Sequence, residues 1–168
     1  MKKIALLYLC ACMLLAGCQA EAAQAPLTGL WHEMNMVGSG FSERYAFYED
    51  GTFIYCSSQM DDLERNLCKT GTWSATDDEL RLAVETRLVL EGGKVEESDE
   101  GQYIDGGDVR ELLYDPPEKE VYKIAPAGKD EDTEREMITI GGVAYYRFDN
   151  QADLMDAYYE LKDLSGRK

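Results

Sequence analysis

Two β-hairpin signatures constrain the fold of this chain more than any other feature. Residues 44–48 and 52–56 are aromatic-rich runs joined through Asp50-Gly51, and residues 137–140 and 143–148 are joined through Gly141-Gly142. These dipeptides favour tight hairpin turns because they accept positive φ. The sequence therefore predicts antiparallel strand pairs near both ends of the folded region.

The segment between the hairpins also has β character. Residues 80–85 alternate apolar and other side chains, which is the period-2 pattern of a half-buried strand. Runs at 109–114 and 121–125 are separated by residues 115–118, Asp-Pro-Pro-Glu, which we expect to interrupt a ladder. We predict an all-β, antiparallel domain of roughly eight to ten short strands without parallel αβ units.

A single helix is predicted at the C-terminal end, over about residues 150–164. Asp149 and Asn150 can cap it, and it carries one apolar stripe formed by Leu154, Met155, Tyr158 and Leu161. A shorter helical turn is predicted within residues 58–67, where Ser58 and Asp61 have capping-box spacing. Residues 96–108 and 127–135 are acidic and contain glycine, so we expect exposed loops there.

The N-terminus has the layout of a secretory signal. A basic start is followed by an apolar run over residues 4–15 and then by Leu15-Ala16-Gly17-Cys18. The run is shorter than the roughly 20 residues that span a bilayer as a helix. We interpret residues 1–17 as a cleaved signal peptide, residues 18–26 as a flexible tether, and residues 27–168 as one domain.

The box Leu15-Ala16-Gly17-Cys18 resembles that of bacterial lipoproteins. The resemblance implies a diacylglycerol on the Cys18 thiol and an acyl chain such as palmitate on its amino group, which together anchor the protein to the cell envelope. Gln19 follows Cys18, and in a Gram-negative organism this favours the periplasmic face of the outer membrane. The alternative is ordinary secretion with Cys18 unmodified.

Charge excludes several classes of partner. The formal net charge of the chain is −16. Such a surface repels phosphate, which argues against nucleic acid as a partner, and it also repels anionic lipid headgroups. The acidity is explained either by solubility or by a basic protein partner.

Cys56 and Cys68 form an even pair in an oxidising compartment, so we predict a disulfide between them. A metal site is the alternative. The spacing differs from the close cysteine pairs of zinc motifs, and His32 is the only imidazole available.

The globular region is similar to the lipocalin-like superfamily. Gly29-Leu30-Trp31 opens the first strand, Gly71-Thr72-Trp73 opens a later one, and residues 50–53 form an Asp-Gly-Thr-Phe hairpin. The likeness runs from about residue 27 to residue 164, although the chain lacks the Thr-Asp-Tyr motif of true lipocalins. The resemblance implies an up-and-down antiparallel barrel in which Trp31 closes the floor and Arg147 stacks on its indole.

Six aromatic residues on predicted strands either line a ligand cavity or form the core: Tyr45, Phe47, Phe53, Tyr55, Tyr122 and Tyr145. We expect a monomeric, membrane-anchored, non-catalytic module that binds a small apolar or amphipathic ligand. The alternative is a structural lipoprotein with a filled barrel that binds an envelope protein or enzyme through its acidic loops.

Catalytic and metal chemistry find little support in the sequence. His32 is the only histidine, and because it adjoins Trp31 on the strand we expect it on the opposite, surface side. Residues 96–108 are acidic but lack the ordered spacing of a calcium loop. We therefore expect no enzyme activity, no metal and no cofactor.

Overall fold

The computed structural model describes residues 27–35, 42–148 and 152–166. Cys18, the predicted tether and the predicted cap residues Asp149 and Asn150 lie outside the described residues. The described chain is mostly β-structure, followed by one C-terminal helix.

The strands and the helix follow in this order along the chain: β1 (Gly29–His32), β2 (Arg44–Phe47), β3 (Thr52–Cys56), β4 (Asn66–Ala75), β5 (Glu79–Glu91), β6 (Lys94–Ser98), β7 (Gly101–Asp105), β8 (Asp108–Lys129), β9 (Glu136–Ile140), β10 (Val143–Phe148) and α1 (Ala152–Gly166).

Eight strands form one antiparallel sheet that closes on itself in the order β1-β10-β9-β8-β5-β4-β3-β2. In the register of neighbouring strands, Trp31 lies opposite Tyr45, Tyr45 opposite Tyr55, and Tyr55 opposite Lys69. On its other side, Trp31 lies opposite Arg147 of β10. Strands β6 and β7 form a separate two-stranded sheet. The predicted antiparallel β class with one C-terminal helix is confirmed.

Both predicted hairpins are present, but the β2–β3 turn is longer than the dipeptide suggests. The Tyr48 N–H donates to Thr52 O at 2.9 Å, and only Gly51 has positive φ, at 82°. The Asp50 carboxylate instead accepts the Thr52 N–H at 2.9 Å, which fixes the start of β3. In the β9–β10 turn Gly141 and Gly142 both have positive φ, as the tight turn requires.

The proline segment does not divide the chain into two strands as expected, because β8 runs through it. The ladder to β5 is nevertheless broken there: Thr86 pairs with Leu113 and Val84 with Glu118, so residues 114–117 lie opposite a single residue of β5. The chain stays extended while the two prolines, which cannot donate, fall within this irregularity.

Three loop-level expectations are corrected by the structure. Residues 96–108 are mostly strand, namely most of β6, all of β7 and the start of β8, although they are as exposed as expected. Residues 127–129 belong to β8. No helical turn forms in residues 58–67, because Ser58 Oγ accepts the Met60 N–H and Asp61 Oδ1 accepts the Leu63 N–H, which closes two successive turns.

The closed sheet has a core on each side. The inner core is made of inward-facing side chains that include Trp31, Phe47, Phe53, Trp73, Leu80, Leu82 and Val84. The outer core lies between the sheet and α1, where Tyr158 packs with Met155 and Leu161 against a second set that includes Leu30, Ile54 and Leu88. Within the described residues, no helix is both long and apolar enough to cross a membrane.

The surface position expected for His32 is wrong. Its exposed fraction is 0%, and its ring lies 4.5 Å from the Phe148 ring, centroid to centroid. Strand alternation does place His32 opposite Trp31. However, the helix-side core covers this part of the outer face, so both sides of β1 are buried.

Candidate functional site

Polar chemistry is concentrated at one end of the space enclosed by the closed sheet. Lys69 lies near the start of β4, whereas Ala75 lies at the end of that strand. We call the end that holds Lys69 and Glu120 the Lys69 end, and the end that holds Leu27, Ala75 and Ile124 the Leu27 end.

A buried ion pair organises the Lys69 end. Lys69 is 7% exposed, and its Nζ lies 2.5 Å from Glu120 Oε2. The Tyr122 hydroxyl donates to the same Glu120 oxygen at 2.7 Å, and the Arg87 guanidinium pairs with Oε1. Glu120 is thus held by three donors from three different strands, which fixes its position.

Tyrosine rings surround the Lys69 ammonium group. Nζ lies 4.7 Å from the ring centroid of Tyr55 and 5.5 Å from that of Tyr122, at cation–π distance. Tyr45 packs against Tyr55 and Tyr145, and the Tyr145 hydroxyl donates to Glu43 at 2.9 Å. This arrangement resembles an aromatic cage for an ammonium ion, and the lysine of the chain itself occupies it.

Burial and charge act together on the ionisable groups of this cluster. Burial raises the pKa of the four tyrosine hydroxyls, which therefore stay neutral donors: Tyr45, Tyr55, Tyr122 and Tyr145. Burial also raises the pKa of Glu120, but hydrogen bonds from Lys69 and Tyr122 outweigh it, so the net pKa lies below the ordinary value. Burial lowers the pKa of Lys69, and Glu120 offsets part of that effect.

The six aromatic residues that the sequence nominates as ligand contacts all lie in the inner core. Tyr45, Phe47, Phe53 and Tyr145 are buried, and Tyr55 and Tyr122 are partly buried against them. They pack on each other and on Trp73, for example Phe47 with Trp73 at 5.1 Å between ring centroids. The structure brings all six into one core cluster, in which the Tyr45 ring contacts the rings of Phe47, Tyr55 and Tyr145.

A cavity of about 300 Å³ opens at the Leu27 end. None of the six aromatic residues lines it. Its walls combine five apolar residues with one hydroxyl and one carboxylate: Leu27, Ile124, Ala125, Pro126, Ile138, Thr76 and Asp77. This volume is at the lower end of the few hundred Å³ typical of small-ligand sites. An apolar body with one polar group matches its lining.

Trp31 connects this cavity to the sheet. Its indole Nε1 donates to Leu27 O at 2.6 Å, which holds the cavity wall residue in place. The Arg147 guanidinium lies 5.7 Å from the Trp31 ring centroid, donates to Thr28 O at 3.0 Å and pairs with Glu136 at 2.7 Å. Arg147 therefore links β10, β9 and the segment before β1.

The predicted disulfide is confirmed. Cys56 and Cys68 are bonded and lie directly opposite each other on β3 and β4. Both cysteines are buried in the outer core, beneath the helix side of the sheet. The bridge therefore has a structural position and does not face the cavity at the Leu27 end.

Lys69 and the residues that line the cavity at the Leu27 end were not identified from the sequence. Lys69 shares the inward face of β4 with Trp73 at period-2 spacing, so alternation from that tryptophan was the available signal. The cavity residues carry no comparable signal. Thr76 and Asp77 lie in a turn, while Pro126 lies at a register shift between β8 and β9, and only the folded sheet brings them together.

No protein-family model, curated protein or solved structure matches this chain. Within the described part of the chain, no group of three or more histidine, cysteine, aspartate or glutamate side chains is arranged to hold a metal ion.

Proposed function

We propose that this protein is a non-catalytic, membrane-anchored envelope lipoprotein that binds a small apolar or amphipathic ligand in the cavity at the Leu27 end. The cavity is the observation that carries the proposal, because its volume of about 300 Å³ and its mostly apolar walls suit a compact hydrophobic group. Thr76 and Asp77 favour a ligand with a hydroxyl or amine next to its apolar body.

The closed sheet supports a lipocalin-like barrel as the finer description of the fold. Its first strand carries Gly29-Leu30-Trp31, and Arg147 lies beside the indole. The proposal places the ligand at the Leu27 end of the barrel, because the rest of the described inner core is filled by aromatic rings and by the Lys69–Glu120 pair.

The proposed anchor and the proposed site are close in sequence. Cys18 precedes the cavity residue Leu27 by nine positions. A fully extended chain of that length spans at most about 30 Å. The lipid on Cys18 would therefore keep the cavity within that distance of a bilayer, where apolar ligands partition. Proximity to the membrane is consistent with a carrier of lipid-derived molecules.

A second function is favoured by the packing of the inner core. Because the six nominated aromatic residues pack into one core cluster, the domain also suits a structural lipoprotein that acts on an envelope protein through its acidic surface. This candidate predicts no saturable binding of small apolar molecules.

The two candidates are separated by titration with the uncharged fluorophore N-phenyl-1-naphthylamine. Residues 19–168 are exported to the periplasm and purified without detergent. Saturable fluorescence enhancement is expected for the wild type. Ile138→Trp fills the cavity and should weaken binding at least tenfold. Val121→Trp, at an exposed position on β8, should leave binding within twofold. Equal binding by both variants, or no saturable binding by the wild type, would contradict the cavity assignment.

A further inference from the structure

Strand β6 has an unpaired edge. It pairs with β7 alone in a two-stranded sheet, and no other described strand lies beside it. All five β6 residues are exposed. An exposed strand edge presents free backbone N–H and C=O groups and is a template for another strand.

The register identifies which backbone groups of β6 point outward. Ile104 of β7 donates its N–H to Asp62 O at 3.0 Å, so this N–H points away from β6. Val95 lies opposite Ile104, and the two therefore form a non-hydrogen-bonded pair. The backbone groups of Val95 then face outward, and by alternation those of Glu97 do so too.

The two edges of this small sheet differ. The β7 edge is partly covered, because Asp62 accepts the Ile104 N–H. The β6 edge, with the sequence Lys-Val-Glu-Glu-Ser, has no proline and only one lysine, the residues that most often protect strand edges. Val95 is 56% exposed and adds an apolar contact on this strand.

Four glycines separate this sheet from the closed sheet. The β5–β8 ladder ends at the pair Glu91 and Asp108. Gly92-Gly93 on one side and Gly106-Gly107 on the other then connect it to the β6–β7 ladder. All four have positive φ, between 69° and 102°, so both strands leave the extended conformation at the same level. These four glycines end the β5–β8 ladder, so β6 and β7 form a separate sheet.

Charge defines the partner. Residues 94–105 contain one lysine and five acidic residues: Glu96, Glu97, Asp99, Glu100 and Asp105. A strand that adds to β6 must carry positive charge to offset this density, because like charges directly opposite each other in a sheet are destabilising. Acidic or phosphate-bearing partners are disfavoured for the same reason.

We propose that the β6 edge is a docking site for an extended, lysine- or arginine-containing segment of another protein, which adds as a strand beside Val95 and Glu97. The backbone hydrogen bonds supply the register, and the surrounding carboxylates select basic side chains. This site is independent of the cavity at the Leu27 end, so either assignment can fail without the other.

The test uses the protein expressed from the full 168-residue sequence and purified as the cell processes it, with a fluorescent eight-residue Val-Lys repeat as the probe. A Pro-Lys repeat of equal length and charge is the control peptide, because proline cannot form a ladder. The Val-Lys peptide should bind at least tenfold more tightly than the Pro-Lys peptide. Equal affinities, or no binding, would overturn the proposal.

Matched variants locate the edge. Val95→Pro removes an outward N–H from β6, while Gln102→Pro removes an outward N–H from β7; each leaves the β6–β7 bonds in place. Val95→Pro should weaken Val-Lys binding at least tenfold, and Gln102→Pro less than twofold. Equal losses would contradict the edge assignment.

A charge reversal tests the same site without disturbing the backbone. Glu97→Lys should weaken Val-Lys binding several-fold, whereas Glu131→Lys, an equal charge change at an exposed position outside residues 94–105, should have little effect. If Glu97→Lys leaves the affinity unchanged, the acidic side chains do not select the partner and the proposal is wrong.

Discussion

At the scale of single residues, the decisive feature is a buried charge pair inside a β domain. Lys69 and Glu120 are both removed from water, which is costly unless partners compensate. Here Arg87 and Tyr122 complete the coordination of Glu120, and the rings of Tyr55 and Tyr122 face the ammonium group. The Lys69 end of the inner core is therefore tied together by side chains from β3, β4, β5 and β8.

The stability contributed by Glu120 depends on pH. Because its folded-state pKa lies below the ordinary 4.5, this contribution is fully present above pH 4.5 and is lost as pH falls through the lower folded-state pKa. Urea unfolding should show Glu120→Gln less stable than the wild type at pH 7 by about 1–3 kcal/mol, with a smaller difference at pH 3. Glu118→Gln, at a more exposed partner of Arg87, is the control. A pH-independent difference would contradict this account.

Arg147 makes contacts that lysine cannot reproduce. Its planar group faces the Trp31 ring, donates to Thr28 O and pairs with Glu136. Thermal unfolding should show that Arg147→Lys has a free energy of unfolding about 0.5–2 kcal/mol lower than that of the wild type. Arg81→Lys is the matched control, because Arg81 is exposed and pairs with Glu79 on the surface. Equal stability of the two variants would remove the role assigned to Arg147.

At the scale of elements, the strand pairs were predictable where the signal was local. The β2–β3 and β9–β10 hairpins follow from their turn residues, and the disulfide follows from an even cysteine pair in a chain that the sequence predicts to be exported. The continuity of β8 was not predictable, because Pro116 and Pro117 break strands in most contexts. Only the long ladder with β5 shows that four residues can lie opposite a single one.

The same limit explains the errors about burial. Period-2 alternation puts Trp31 and His32 on opposite faces, but it does not reveal that α1 covers the outer face of the sheet. The cavity at the Leu27 end depends on residues from the N-terminal segment, the β4–β5 turn, β8 and β9. Contacts between elements so distant in sequence leave no periodic signal in a single chain.

The Cys56–Cys68 bridge joins directly opposite residues of the neighbouring strands β3 and β4, whose Cα atoms lie 4.1 Å apart. Removing it should destabilise the domain by about 2–4 kcal/mol in the chain-entropy account. Calorimetry with and without dithiothreitol should show a lower melting temperature for the reduced wild type. The Cys56→Ala/Cys68→Ala variant should be insensitive to the reductant. An unchanged wild-type melting temperature on reduction would show that the bridge is dispensable.

At the scale of the whole molecule, the proposals combine an anchor, a cavity and a docking edge. The net charge of −16 opposes direct adsorption to anionic lipid, so membrane attachment would depend on the modification of Cys18. The cavity lies next to Leu27, the first described residue after the proposed tether. The β6 edge belongs to a separate sheet, so an apolar ligand and a basic partner would not compete for one surface.

Lipidation of Cys18 is tested by metabolic labelling with radioactive palmitate in a bacterial host. The wild-type chain should incorporate label and partition into the detergent-rich phase of a Triton X-114 extraction. Cys18→Ser should lose both properties, while Cys12→Ser, within the proposed signal peptide, should retain them. If the wild-type chain is secreted without incorporating labelled palmitate, the protein is exported but not lipidated at Cys18.

Ligand occupancy of the cavity at the Leu27 end is the central claim, and native mass spectrometry tests it most directly. Residues 19–168 are purified without detergent and measured before and after incubation with a bacterial lipid extract. The account predicts a stoichiometric extra mass that is lost on denaturation and absent from Ile138→Trp. A wild-type spectrum that shows only the mass of the polypeptide, both before and after the incubation, would contradict it.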